Sequence, residues 1–466
     1  MDNTFLGDSR MSKTYRPWEP DQSWLLPPSP RDWLDEGDLV YFLLDTVGEL
    51  DIKAITSKYD QEGRGFPPYH PRMMAVLLIY AYCRGIYSSR RIQQACEERV
   101  TFRVIAGHDI PNFRTISDFR KLHLKELESL FVQVLRLCQE AGLVKLGHVS
   151  LDGTKIKANA SRHKAMSYQR MKQTEKQLTQ EIRHLFQQAE SVDHDEDQQY
   201  GRDRRGDELP EELARRQTRL KRIRQAKRVL EAQAKEAARI EQQHRESQEK
   251  DQDNRSRRGR KPQPVCDRPV PKKQYNFTDP ETGIMKTNNK GWDQCGNAQA
   301  VVDEEKQIII ACDVTSATND KQQMEPLMSQ AQENIGEDET IDKVSMDTGY
   351  FSESNIAWLE ANEMDGYVAT GRIKHGEWVP AAPRGRPPND LTVKEKMARK
   401  LRTKKGRATY SKRKSIVEPV FGQIKRARGF VQFSLRGMEK IRGEWALVCL
   451  THNLLKLFKS QRAALA

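Results

Sequence analysis

Two things are missing from this 466-residue chain. None of its seven cysteines (Cys83, Cys96, Cys138, Cys266, Cys295, Cys312 and Cys449) pairs with another in C-x-x-C spacing, and no histidine-rich spacing accompanies them. That excludes the common structural zinc motifs and reads as reduced, mostly buried thiols in a reducing compartment. Long apolar runs are also missing. No stretch approaches the roughly 18 apolar residues of a membrane span, and the first thirty residues, rich in Pro and Trp, hold no apolar core of a secretion signal. The expectation is a cytoplasmic protein that crosses no membrane.

What is present is charge. Lys and Arg number 79 against 66 Asp and Glu, a net of +13. A basic surplus scattered among many acids suits a protein that meets a polyanion, and equally an ordinary basic cytosolic protein. The length exceeds what one hydrophobic core sustains, roughly 250 to 300 residues, so two or three units are expected.

Residues 1–31 read as an extended arm and 32–143 as a helical N-terminal domain. Leu39, Phe42, Leu43 and Val47 follow helical spacing, His70-Pro71 opens a strongly apolar helix closed by Gly85, and one further helix is expected from Arg114 through Leu135. Short helices with Ser or Thr starts and clustered arginines, Arg90, Arg91 and Arg114, suit a helix-turn-helix on DNA, or a plain bundle with a basic face. From 162 to 262 the chain becomes dominated by Gln, Glu, Lys and Arg with scattered Leu and Ile. That pattern predicts two solvated helices in an antiparallel hairpin, a flexible link over 191–209, and a basic tract at 255–262. Strand signals return afterwards: two strands around the turn 303–306, then helix, strand ending at Met346, helix capped by Ser352, and strand at 366–369. Residues 372–409 read as a basic loop, with the Arg-Gly-Arg-Pro run at its centre either lying in a minor groove or serving as a plain loop.

The stretch HVSLDGTKIKANAS, residues 148–161, carries the chemistry. Val149 and Leu151 alternate with Ser150 and Asp152, the period of a strand with one buried face. Asp152 is then either a metal-holding carboxylate beside the cations Lys155 and Lys157, or a strand-end residue in a turn with Gly153. Asp347 ends a second alternating strand, so two carboxylates would emerge at one edge if the strands lie side by side. On a helix turning about 100° per residue, Lys414, Glu418 and Lys425 share the face opposite Ile416, Val417, Val420 and Ile424. Pro419 requires that helix to start or kink near Glu418. Two Asp and one Glu would suffice for Mg²⁺, which takes hard oxygen ligands. Tyr350 and Phe351 could stack on an unpaired base or simply pack a helix start.

Together these residues resemble the DDE transposases of bacterial insertion sequences, in particular the subgroup numbered eleven eighty-two. The resemblance rests on LDGTKIKANAS at Asp152, NFTDPETGIMK, GNAQAVVD, DTGYFSESN at Asp347, and VEPVFGQIK followed by RGMEKIRGEWALVCLTHNLLKL. It implies an α/β fold: a ribonuclease H-like (retroviral integrase) core with a mixed five-stranded sheet, an all-α N-terminal domain and a long helical insertion after the first strand. The catalytic core would comprise 144–161 and 263–460, interrupted by the insertion 162–262. The implied catalytic and metal-holding residues are Asp152, Asp347 and Glu418, with Mg²⁺ as cofactor, or Mn²⁺ in its place. Lys425, Lys155, Lys157 and Lys414 would meet phosphates, beside the N-terminal arginines. Many relatives carry Tyr-x2-Arg-x3-Glu-x6-Lys; here Glu418 and Lys425 fit, Lys414 and Ser411 occupy the Arg and Tyr positions, and Tyr410 and Arg413 stand one residue early. The implied partners are double-stranded DNA, as terminal inverted repeats and target, and a second copy of the chain on paired ends, in the bacterial cytoplasm at the nucleoid. Two rivals differ in class: a non-catalytic repressor derived from a transposase, and a metal-dependent nuclease without strand transfer.

Overall fold

A computed structural model describes residues 30–60, 68–107, 109–200, 211–251, 265–287, 291–371, 380–383, 385, 388 and 390–465. The arm expected over 1–31, apart from its last two residues, lies outside them, as do the basic tract at 255–262 and Arg384 and Arg386.

Among the described residues seven α-helices come first: α1 (Leu39–Glu49), α2 (Lys53–Asp60), α3 (Pro71–Cys83), α4 (Ser89–Glu98), α5 (Val100–Ala106), α6 (Phe113–Leu122) and α7 (Leu124–Glu140). The start of α3 is written locally: the His70 ring Nδ1 accepts from the Arg72 N–H at 3.2 Å and Pro71 takes the first helical position, where no N–H is needed. Residues 74–83 are all buried, which makes α3 the hub of this region. Gly85 follows with φ 74°, and a Cβ there would stand 2.5 Å from the Arg428 carbonyl oxygen, so both conformation and contact demand glycine. The single helix expected from Arg114 to Leu135 is two helices, α6 and α7, separated at His123. That imidazole is buried, bonded to Tyr59 Oη at 2.9 Å and packed on Phe119, and these tertiary contacts override the local helical pattern.

The sheet opens with β1 (Val149–Lys157). β2 (Ala165–Ser167) pairs antiparallel with β3 (Gln274–Asn276) at the root of an excursion formed by α8 (Tyr168–Tyr200) and α9 (Glu211–Asp251). Then come β4 (Gly283–Lys286), β5 (Trp292–Asp303), β6 (Ile309–Thr315), α10 (Met324–Ile335), β7 (Lys343–Met346), α11 (Glu353–Ala361), β8 (Asp365–Val368), α12 (Val393–Arg402), α13 (Lys404–Gly422) and α14 (Met438–Leu465). β1 is central. β5 runs antiparallel along one side, from Val149↔Asp303 to Lys157↔Cys295, and β7 runs parallel along the other, with Leu151↔Met346. β8 extends the sheet beyond β7, while β4 and β6 both pair with the outer edge of β5. The described sheet thus has six strands where five were expected. The reason is the length of β5, whose twelve residues leave Trp292–Cys295 free to pair with β4 after β6 has taken the rest.

The hairpin is antiparallel as expected: Glu175 holds Arg224 at 3.0 Å and Lys227 at 2.6 Å, and further along Glu181 meets Arg216 at 3.4 Å. Leu178, Ile182, Leu220, Ile223 and Leu230 give it a small core of its own. α8 continues to Tyr200, through the first half of the expected flexible link. Likewise 372–409 is not all loop: Thr392 and Glu395 form a reciprocal capping box that starts α12, whose last turn carries Arg399, Lys400 and Arg402.

α14 joins the two regions. It packs on α7, α3 and β6, so the N-terminal helices and the sheet share one continuous core. Trp445, Val448 and Leu454 are fully buried, and Trp445 Nε1 donates to the Gln299 carbonyl at 2.9 Å, which makes this helix core closure, not a DNA-facing surface. Buried polar groups fasten the same junction: Arg120 Nη1 donates to Tyr82 Oη, whose hydroxyl donates to Glu444 Oε1, both at 3.0 Å. All seven cysteines are free and six are buried. No described helix is long and apolar enough to cross a membrane.

Candidate active site

β1 departs from the simple alternation. As the central strand it is covered on both faces, and Ser150 is as buried as Val149 and Leu151. Its hydroxyl is satisfied across the parallel pair, Ser150 Oγ donating to the Ser345 carbonyl at 3.3 Å and Ser345 Oγ to the Val149 carbonyl at 3.5 Å. Burial relaxes at Asp152, where β7 ends. The Asp-Gly pair is no turn: Gly153 lies inside the strand opposite Gln299, and a Cβ there would stand 2.5 Å from Gln299 Nε2 and 3.0 Å from Asn297 Oδ1. Glycine is required by a close-packed layer of amides beneath it.

The register brings the two aspartates together. Leu151 is paired with Met346 on strands about 4.8 Å apart, so Asp152 on β1 and Asp347, just past the end of β7, each follow a paired position, close enough for the Asp347 charge to act on Asp152. Asp347 is held by its own turn, its Oδ1 accepting from the Gly349 N–H at 2.7 Å. The neighbouring Tyr350 is fully buried and hydrogen-bonded to Gln299 Oε1, so base stacking by this ring is excluded and helix-start packing is its role; Phe351 is half-buried.

Glu418 comes from α13. Of the two expected outcomes, a start or a kink, the start is not what is seen: the helix begins at Lys404 and runs through Pro419 to Gly422. A proline in the interior leaves the carbonyl four residues earlier without its N–H, and that carbonyl, Ser415 O, accepts instead from Gln307 Nε2 at 3.0 Å. A π-helical turn, Gln423–Ala427, follows and carries Lys425 against β1, where its ammonium donates to Thr154 Oγ1 at 3.0 Å and the Lys155 carbonyl at 3.1 Å. Burial pushes the Lys425 pKa down from its ordinary value.

Between the carboxylates lies a residue whose position the sequence comparison placed one step out of register. Arg413 Nη1 donates to Asp152 Oδ2 at 2.9 Å and Nη2 stands 3.9 Å from Glu418 Oε1. The arginine side chain is 10% exposed and Glu418 54%, so Glu418 reaches the pair from the solvent side. The Tyr410 ring sits under the guanidinium, 6.0 Å from ring centre to Cζ. Lys414 points to solvent instead. A five-residue step from Arg413 to Glu418 spans a little more than one helical turn, and the longer guanidinium covers the difference. The electrostatics match this crowding. Burial lifts the Asp152 carboxyl to about 6, Arg413 opposes that rise, and Asp347 adds to it. Burial disfavours the Arg413 charge, but Asp152, Tyr410 and Asp347 outweigh it and its pKa rises.

The other expected phosphate contacts scatter. Lys155 is half-buried, and exposed Lys157 is paired with Asp293 at 3.1 Å. In the N-terminal region α4 packs on α6, and Arg90 and Arg114 both lie over the Phe113 ring, at 4.9 and 5.8 Å, beside exposed Arg91. Arg90 and Arg114 therefore form one exposed cationic pair on the Phe113 ring.

No group of three or more His, Cys, Asp or Glu side chains is gathered to hold a metal among the described residues. Two adjacent carboxylates nevertheless suit Mg²⁺, which usually takes one or two protein carboxylates and completes its shell with water and substrate phosphate. The Arg413 guanidinium stands where such a cation would be attracted, bridging from Asp152 toward Glu418. In chemical class this is a carboxylate pair on the central strands of a mixed sheet, fitted to a hard divalent cation. Residues 28–122 match the family described as Transposase domain, and residues 261–454 match the one described as Transposase DDE domain. The chain belongs to the DDE transposases of insertion sequences. No curated protein matches it, and no solved structure matches it. Membership implies a ribonuclease H-like fold, an enzyme that cleaves or transfers nucleic acid, DNA binding, and in general the use of divalent metal ions.

Proposed function

We propose that this transposase nicks the terminal inverted repeats of an insertion sequence and joins the freed 3′-OH ends to target DNA. It would act in the bacterial cytoplasm, at least as a dimer when two ends are paired. The observation that carries the reading is the placement of Asp152 beside Asp347, with Arg413 spanning from Asp152 toward Glu418. The sheet supports it too: a central strand with an antiparallel neighbour on one side and two parallel strands on the other, in the order β6–β5–β1–β7–β8, suits a ribonuclease H-like core.

Asp152, Asp347 and Glu418 would hold Mg²⁺ or Mn²⁺, which when bound supplies Lewis acidity at the scissile phosphate and eases deprotonation of the attacking hydroxyl. The protein's own groups do the rest. Asp152 and Asp347 present oxygens from a rigid sheet, so little reorganisation is needed. Arg413 turns away from Asp152 and becomes available to a phosphate oxygen. Lys425, fixed by Thr154 two residues from Asp152, neutralises charge on the strand being cut.

The test is Asp152→Asn. Mg²⁺-dependent cleavage of a terminal-repeat duplex should disappear while binding of that duplex persists; undiminished cleavage refutes the assignment. Cleavage products that are never joined to target DNA would favour a nuclease without strand transfer, and wild-type binding without metal-dependent nicking would favour a repressor.

A further inference from the structure

α9 has a first half of unusual charge. Residues 213–230 contain eight Lys or Arg and no Asp or Glu. α8 meets this stretch with Glu175, which engages Arg224 and Lys227, and with Glu181, which engages Arg216. Lys221 and Arg228 are exposed and have no carboxylate partner among the described residues. Together with Arg224 they stand at i, i+3 and i+7, a single stripe about 10 Å long. The stripe borders a groove of about 720 Å³ whose polar wall is Gln217, Lys221, Arg224, Gln225 and Arg228, without a carboxylate.

The hairpin does not need these charges to fold. Leu220, Ile223 and Leu230 pack it against Leu178 and Ile182, and like charges three or four residues apart work against a helix. A stripe that weakens its own helix, with amides between the cations and no aromatic side chain in the groove, is matched by an external line of negative charge.

We infer that the first half of α9 is an arm that grips the phosphate backbone of duplex DNA without reading its sequence, Lys221 and Arg228 each taking one phosphate and Arg224 sharing itself with Glu175. Regularly spaced cations answer regularly spaced phosphates, and contacts of this kind set position and affinity but not base choice. The inference rests on the transposase reading, which supplies the DNA. It assigns the excursion after β1 a task separate from the chemistry at Asp152.

The test is a full-length double variant, Lys221→Gln with Arg228→Gln, titrated onto a long linear duplex of arbitrary sequence over a range of salt. Each lost phosphate contact should make the slope of log affinity against log salt shallower by about 0.9, so the pair should remove about 1.8. The melting temperature should stay as in wild type or rise, and Mg²⁺-dependent cleavage of a short end duplex should persist. The single variants, each expected to remove about 0.9, serve if the double variant folds poorly. A slope equal to that of the wild type overturns the arm. Failure of the wild-type protein to bind DNA at all would overturn the transposase reading itself, a distinct result.

Discussion

Replacing Arg413 by Met probes the site most directly. The guanidinium is almost buried and donates to Asp152 Oδ2 at 2.9 Å. Removing one side of a buried pair costs about 3 to 5 kcal/mol when the survivor must remain charged. Asp152 has another course, because its carboxyl already sits at about 6 and can take a proton. Protonating it costs about 1.4 kcal/mol for each pH unit above that value, which holds the expected loss near neutrality to about 1 to 3 kcal/mol. Its folded pKa lies above the ordinary 3.8, so the penalty on its ionised form is complete above the folded pKa and vanishes as pH falls through about 6 toward 3.8. Without Arg413 that window moves upward. The variant should therefore show its deficit by chemical denaturation in chelator at about pH 8, and lose most of it at about pH 5. Saturating Mg²⁺ should restore stability, by about 2.7 kcal/mol at a hundredfold excess over its dissociation constant. A deficit that ignores both pH and Mg²⁺ would mean that Arg413 is only a packing residue.

Two further outcomes are expected. At Gly349 a Cβ would meet Asp347 Oδ1 at 2.9 Å and Asp320 Oδ2 at 3.1 Å, so Gly349→Ala should shift Asp347 and reduce end nicking by about a hundredfold with little change in melting; nicking at the wild-type rate would show that Asp347 needs no such placement. His452 is buried, its Nε2–H donating to the Gln307 carbonyl at 2.9 Å, and burial with nearby Arg428 lowers its pKa to about 3. The unfolded chain takes that proton below about 6.5 and the folded one does not, so His452 costs stability as pH falls through that range. His452→Gln, which keeps a donor, should shrink the stability difference between about pH 7 and pH 5 by roughly 2 kcal/mol in parallel denaturation curves. An unchanged difference would place the proton uptake elsewhere.

Much of the sheet region around the candidate site was legible in residue order. Alternation at 148–157 and 343–346, the hairpin around 303–306, and the Ser352 cap, whose Oγ accepts from the Asn355 N–H at 3.1 Å, are all local signals, and the strands and helix they predict are present. Other features resisted for physical reasons. His123 divides a helix because Tyr59 and Phe119, distant or on another turn, hold its ring. Pro419 sits inside a helix because Gln307, more than a hundred residues away, satisfies the carbonyl it exposes. The local rule was right about the lost bond and silent about its replacement.

By itself, the sequence singled out Asp152, Asp347 and Glu418 as candidates, and determined the strand-forming and helix-forming stretches that carry them and the motifs of the DDE transposases, because these depend on side-chain type and short-range period. Only the tertiary structure decided that Arg413, not Lys414, lies between Asp152 and Glu418, that the Gly153 site is an amide-packed strand and no turn, and that α14 fuses helices and sheet into one core. Each of those turns on which surfaces meet after the chain closes on itself, and a one-residue step along α13 is enough to exchange a solvent-facing lysine for a buried arginine.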